Sequence, residues 1–291
     1  MHQTLRASLW MIGTIVSFTF MAIAGRAVSL DLDTFEIMLY RSLIGIAIVL
    51  TVSSLAGTRR QIGVRKMGWH FLRNIFHFSG QNLWFYSITV IPLAQVFALE
   101  FTLPLWVMLM SPLILGERLT PSRALAAVAG FIGILIVTRP SPDTFHIGLV
   151  TAALAAIGFA GSAVFTRRLT RTEPITQILF WLTALQACFG LLCAGYDGDI
   201  ALPSAENWPW VIVISCAGLV AHFCLTTALS LAPATVVMPI DFARLPVIAV
   251  VGMAVYQEAL DPWVFVGAVI IFGSNYLNIL HETRKLPVTK T

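Results

Sequence analysis

Four ionisable side chains stand inside apolar runs, where each needs a physical reason. Glu100 follows Phe97, Ala98 and Leu99 and precedes Phe101; Asp241 and Arg244 lie three apart between Pro239 and Pro246; Arg41 interrupts the run after Tyr40. Carboxylates and guanidinium groups so placed can hold a polar solute, carry a proton, or neutralise one another. Each costs about 2.5–3.5 kcal/mol at the centre of a membrane helix, so four unpaired ions would cost roughly 10 kcal/mol. That is comparable to a whole domain's stability of about 5–15 kcal/mol. Their formal charges sum to zero, which predicts an intramembrane network of Arg41, Glu100, Asp241 and Arg244 that fixes geometry. Direct contact with a solute is the competing role.

Uncharged polar residues gather in the same way. Asn74, His77, Phe78, Gln81, Asn82 and Phe85 recur at three- and four-residue steps, one broad helical face. A later run offers Ser215, His222 and Thr226 on one face. Such faces avoid lipid, so they form either a hydrogen-bonded seam between helices or the wall of a wet cavity. Taken with Phe97, Glu100 and Phe101, with Phe159 and Ser162, and with Met238 and Asp241, they compose the predicted substrate cavity. Aromatic faces would hold an apolar part, while His77, Gln81, Asn82 and His222 would orient a zwitterionic end. Pro104, Pro112, Pro239 and Pro246 fall inside apolar spans and are expected to kink them, as hinges or as static bends. There is no nucleophile–base–orienter set, phosphate loop or metal-ligand spacing, so no catalysis, metal or cofactor is expected.

The elements that must position these groups follow from composition. Of 291 residues, 58% are hydrophobic and 11% charged, with mean hydropathy +0.85. Soluble domains carry roughly 25% charge, so the bilayer is the expected solvent. Hydropathy and helix breakers predict ten spans near 7–28, 35–56, 69–90, 93–114, 121–138, 146–166, 175–195, 208–230, 234–256 and 262–281. The four cysteines lie in or beside apolar segments without redox or metal spacing and predict no structural disulfide. The net charge of +4 resides in short connectors, which speaks for topology control and against nucleic acid.

The chain also repeats itself at a spacing of 141. Trp69 recurs as Trp210, Pro92 as Pro233, Val96 as Val237, Phe101 as Phe242, Glu117 as Glu258 and Pro121 as Pro262. Glu100 meets Asp241 and Gln81 meets His222 in that register. The connectors change sign between copies. Asp31 and Asp33 give way to Arg167, Arg168 and Arg171, and the stretch from Arg59 to Lys66 gives way to one from Asp197 to Glu206. Arg139 is the one clear basic residue among the acidic connectors. Five spans per copy and swapped charges predict an all-α polytopic membrane protein of two inverted five-helix repeats, 1–140 and 141–291, with both termini cytoplasmic. Glu117 and Glu258, at span ends, read as structural acids that favour the N-terminus of a following helix.

The paired stretches Pro104…Leu115-Gly116-Glu117-Arg118-Leu119 and Pro246…Tyr256-Gln257-Glu258-Ala259-Leu260 resemble the EamA-type carriers of the drug/metabolite transporter superfamily. The likeness covers about residues 8–281, and the overall pattern is similar to the aromatic amino-acid exporters. The second copy lacks the Gly before Glu258, so its turn is expected to differ. The resemblance implies a cytoplasmic-membrane exporter of small metabolites, amino acids foremost and aromatic ones the narrower expectation. Alternating access would act at a midplane cavity between the repeats. A proton-coupled drug or amine exporter is the alternative. The implied partners are a small-molecule substrate and the lipid bilayer, with monomer or homo-oligomer left open.

Overall fold

The computed structural model describes residues 2–29, 31–116, 121–139, 146–196, 198–259 and 261–285. They form helices α1 (His2–Val28), α2 (Thr34–Leu55), α3 (Met67–Val90), α4 (Leu93–Glu100), α5 (Leu103–Leu115) and α6 (Pro121–Thr138). The second part gives α7 (Ile147–Leu169), α8 (Ile175–Ala194), α9 (Trp208–Leu231), α10 (Ala234–Val237), α11 (Arg244–Tyr256) and α12 (Pro262–Lys285). Among the described residues, six stretches are long and apolar enough to cross a membrane: 5–28, 34–55, 93–115, 147–169, 175–194 and 208–231. Shorter apolar stretches lie in α6, α11 and α12, and α3 carries the polar face. Leu5, Leu9, Ile12, Val16 and Phe20 form an exposed apolar stripe along α1, as a lipid-facing surface requires.

Local chemistry sets the ends. Asp33 accepts from the Glu36 amide at 2.8 Å while the Glu36 carboxylate accepts from the Asp33 amide at 2.9 Å, a capping box that starts α2. The repeat is written into the backbone. Ile91 (φ −134°, ψ 160°) and Ala232 (φ −144°, ψ 158°) are both extended because a proline follows each. Gly116 and Gln257 both take left-handed backbone, φ +73° and +56°. The second turn therefore keeps the hand of the first without its glycine, contrary to expectation, and a side chain bears the steric cost.

The spans carrying the charges are not continuous helices, which corrects the view of four mid-helix prolines. Phe101 and Thr102 separate α4 from α5, and Pro104 sits at the start of α5, where a missing amide proton leaves no bond unmade. Pro239 falls in a 3-10 segment, Met238–Ala243, and Pro246 in the first turn of α11. Pro112 alone of the four lies within a helix interior.

The most extensive contacts pair α1 with α9, α3 with α7, α2 with α8 and α6 with α12. A Cβ on Gly158 would lie 2.7 Å from the Gly80 Cα, so the two glycines let α3 and α7 cross backbone to backbone. Gly133 and Gly267 do the same for α6 and α12. At one end of α2 and α8, Thr176 donates to Thr58 at 3.2 Å; at the other, the Tyr40 hydroxyl donates to the Ala201 carbonyl at 2.8 Å. These two helices therefore run antiparallel. Asp31 accepts from Asn207 at 2.6 Å and Arg139 pairs with Asp261, gathering the acidic connectors at one end with the basic exception neutralised there. Glu258 pairs with Arg26 of α1 and accepts from the Leu93 amide at 3.0 Å, capping α4. Glu117 lies outside the described residues.

Candidate functional site

The breaks in the two charged spans create the site. Because α4 stops at Glu100 and α11 starts at Arg244, the carboxylate and the guanidinium meet at unwound backbone in the interior. Arg244 donates to Glu100 Oε1 at 2.6 Å and also pairs with Asp241. Trp84 Nε1 donates to Glu100 Oε2 at 2.9 Å, so both oxygens of that carboxylate are held. The Arg244 guanidinium lies 4.6 Å from the Phe97 ring centre and 5.2 Å from that of Phe18. With Arg244 at 1% exposure, a single guanidinium offsets part of the charge of two carboxylates where water cannot do so.

This cluster closes one end of a cavity among α1, α3, α7 and α9. His77, Gln81, Glu100, Phe159, Ser162, His222, Thr226, Met238 and Asp241 are brought together on its wall. The rings of His77 and His222 meet edge to face at 4.6 Å, and Phe18 lies 5.4 Å from His222. His77 Nε2, His222 Nε2, Gln81 Oε1, Asp241 Oδ1 and Arg244 Nε are buried without a hydrogen-bond partner. Buried polar atoms left unmade are expensive, so a wall with five of them suits a guest that offers donors and acceptors. The space is about 60 Å³, room for about two waters. A site for a metabolite takes about 300–1,000 Å³, so this conformation is too narrow to hold one.

The other expected wall residues lie elsewhere. Asn74 donates to the His70 and Trp181 carbonyls and accepts from Gln186, tying α3 to α8. Phe78 packs on Phe35 and Phe189, and Asn82 donates to the Phe78 carbonyl within its own helix. Phe85 is fully buried against Trp84, while Phe97 backs Arg244 from outside the cavity. Phe101 is buried in the hydrophobic core at the end of α4. The face of α3 is thus broader than its cavity-facing strip, and four of its six residues lie outside the cavity.

Arg41 is not in the network, a second correction. Helix α2 packs on α8 and α9, so Arg41 reaches a small niche by Thr183, Gln186 and Ser215 and the Met38 sulfur at 3.7 Å. The residue that formal charge alone overlooked is Arg73. It is 2% exposed, on the cavity wall, with Nε donating to Thr166 at 3.0 Å and a terminal nitrogen donating to Asn74 at 3.3 Å. No carboxylate pairs with it among the described residues. From Arg73 to Trp84 α3 rises about 16 Å, placing the unpaired cation and the acidic cluster at opposite ends of the wall. Phe18, with Met11, Thr14 and Met21 of α1, also lines it. Polar spacing gave no signal for α1, whose side toward the cavity is nearly all apolar.

A model of the EamA-like transporter family matches the chain twice, over residues 5–139 and 146–280. The chain belongs to the EamA-like transporter family. This EamA-like protein is a multi-pass membrane transporter and not an enzyme. It is 35% identical over 236 residues to a riboflavin transporter of Brucella anthropi, covering 79% of this chain and 83% of the relative. A riboflavin transporter of Vibrio cholerae is 27% identical across 98% and 96% of the two chains. An S-adenosylmethionine uptake transporter of Rickettsia felis is 24% identical across 95% and 93%. A solved crystal structure shares the fold at TM-score 0.69 and 18% identity, over 96% of this chain and 98% of that one. These relatives overturn the expected amino-acid exporter, aromatic or otherwise, together with its drug and amine alternative, because they are named for a vitamin and a cofactor.

Proposed function

We propose that this EamA-like transporter carries a flavin of the riboflavin class inward across the cytoplasmic membrane. Alternating access occurs at the cavity between two inverted five-helix repeats, 1–140 and 141–291, with ten spans and both termini cytoplasmic. Counterpart helices α2 and α8 running antiparallel support the inversion, as does the pairing of α1 with α9 and of α3 with α7, which a two-fold axis would exchange. Basic connectors at one end and acidic ones at the other support the orientation.

The observation that carries the choice of solute is Arg73, a buried guanidinium on the cavity wall with no carboxylate partner among the described residues. An unpaired cation repels a sulfonium such as that of S-adenosylmethionine and suits a neutral or electron-rich guest. Riboflavin is neutral, planar over its fused rings, and edged with imide N–H and carbonyl groups above a polyol tail. Rings of Phe18, Trp84 and Phe159 offer faces for that plane, and the unpaired nitrogen and oxygen atoms of His77, His222 and Gln81 suit its polar edge. Opening the breaks at Phe101-Thr102 and Met238–Ala243 would enlarge the narrow space for loading.

Proteoliposomes holding the purified protein should accumulate labelled riboflavin saturably. Excess unlabelled riboflavin should compete and S-adenosylmethionine should not. Uptake no faster than in empty vesicles, or competition by the sulfonium alone, rejects the assignment.

A further inference from the structure

A second hollow, of about 540 Å³, opens where the start of α3 meets the ends of α5 and α7. Its walls include Lys66 and Trp69 at the start of α3, Leu113 and Gly116 at the end of α5, and Arg168 and Arg171 at the end of α7. Three cations line it, and no carboxylate does among the described residues. Arg168 is fixed in place. Its guanidinium lies 4.2 Å over the Trp69 ring and donates to the Ile114 carbonyl, while Trp69 stacks on Phe165 at 5.7 Å. Lys66 and Arg171 are exposed and form no ion pair among the described residues. Like charges collected in one place repel, so an anion placed among them is favoured.

The surroundings say which kind of anion. Trp69 sits at a helix start near the level of the basic connectors, where an indole marks the boundary between water and lipid. Leu113 points out with 87% of its surface exposed, giving an apolar edge immediately beside the charges. A free phosphate would use the cations and leave that edge bare. A phospholipid uses both, and the cytoplasmic leaflet that attracts basic connectors is the one rich in anionic headgroups.

We propose that this hollow binds the phosphate headgroup of an anionic phospholipid, with Lys66, Arg168 and Arg171 about the phosphate and an acyl chain along Leu113. The site is separate from the solute cavity and does not depend on the flavin assignment, since lipid binding is read directly.

The test is native mass spectrometry of the full chain in detergent, titrated with short-chain phosphatidylglycerol, with phosphatidylcholine of the same chains, and with inorganic phosphate. Phosphatidylglycerol should remain bound where phosphatidylcholine does not, and millimolar phosphate should fail to displace it. The double variant Lys66→Gln, Arg171→Gln alters two exposed, unpaired residues and should weaken phosphatidylglycerol binding about thirtyfold. Its melting temperature should not change. In vesicles, brominated phosphatidylglycerol should quench tryptophan emission more in the wild type than in Trp69→Phe. Equal binding of both lipids, displacement by phosphate alone, or wild-type binding by the double variant overturns the proposal.

Discussion

Arg244 donates to Glu100 at 2.6 Å across 144 residues of chain, joining the start of α11 to the end of α4. Each residue stands where its own helix breaks, so the contact ties the two family-matched halves together at their unwound points.

Removing Arg244 leaves Glu100 and Asp241 buried beside each other without a cation. Arg244→Ala should cost about 3–5 kcal/mol of stability, as loss of one member of a buried ion cluster does. Thermal unfolding in detergent should show a large drop. A variant that also carries Glu100→Gln and Asp241→Asn should recover most of it.

The crossing of α3 and α7 depends on bare backbone. Gly158→Ala puts a Cβ at 2.7 Å from the Gly80 Cα and should destabilise by about 1–3 kcal/mol. Gly273→Ala meets nothing within 4 Å and should be neutral or stabilise by up to about 1 kcal/mol. Comparing the two melting temperatures separates helix crossing from helix propensity.

Gln257 holds a backbone conformation that suits glycine. Gln257→Gly should raise stability by up to about 1 kcal/mol, because relief of the left-handed strain exceeds the entropy glycine adds to the unfolded chain. Gln257→Val should lower it, and the same melting assay reads both.

Arg73 loses its hydroxyl acceptor in Thr166→Val. With a buried donor left unpaired, stability should fall by about 1–3 kcal/mol. If Arg73 sets solute charge, Arg73→Gln should reduce exclusion of S-adenosylmethionine in the competition assay, with expression unchanged.

For topology, single cysteines at Arg60 and Ser204 in a chain whose own four cysteines are replaced should label with an impermeant maleimide from opposite sides of the membrane. Labelling from one common side would remove the inverted repeat.

The 141-residue register, the alternating sign of the connectors and the family-typical glutamates were legible because they are one-dimensional. Each is a matter of spacing along the chain, and the extended Ile91 and Ala232 before their prolines follow from local sterics alone. The charged cluster was legible in part, since Glu100, Asp241 and Arg244 had to find partners wherever the helices placed them.

What the sequence by itself determined is an α-helical membrane chain of duplicated halves with polar groups that could not face lipid. Only the tertiary structure decided which polar groups share a wall. Arg41 and Arg73 are equally basic and both buried, yet packing of α2 on α8 and α9 sends the first to a side niche, while packing of α3 on α7 sets the second against the cavity. Helical periodicity gives a direction around each axis, but the neighbour in that direction is fixed by which helices cross closely, as at Gly80 and Gly158.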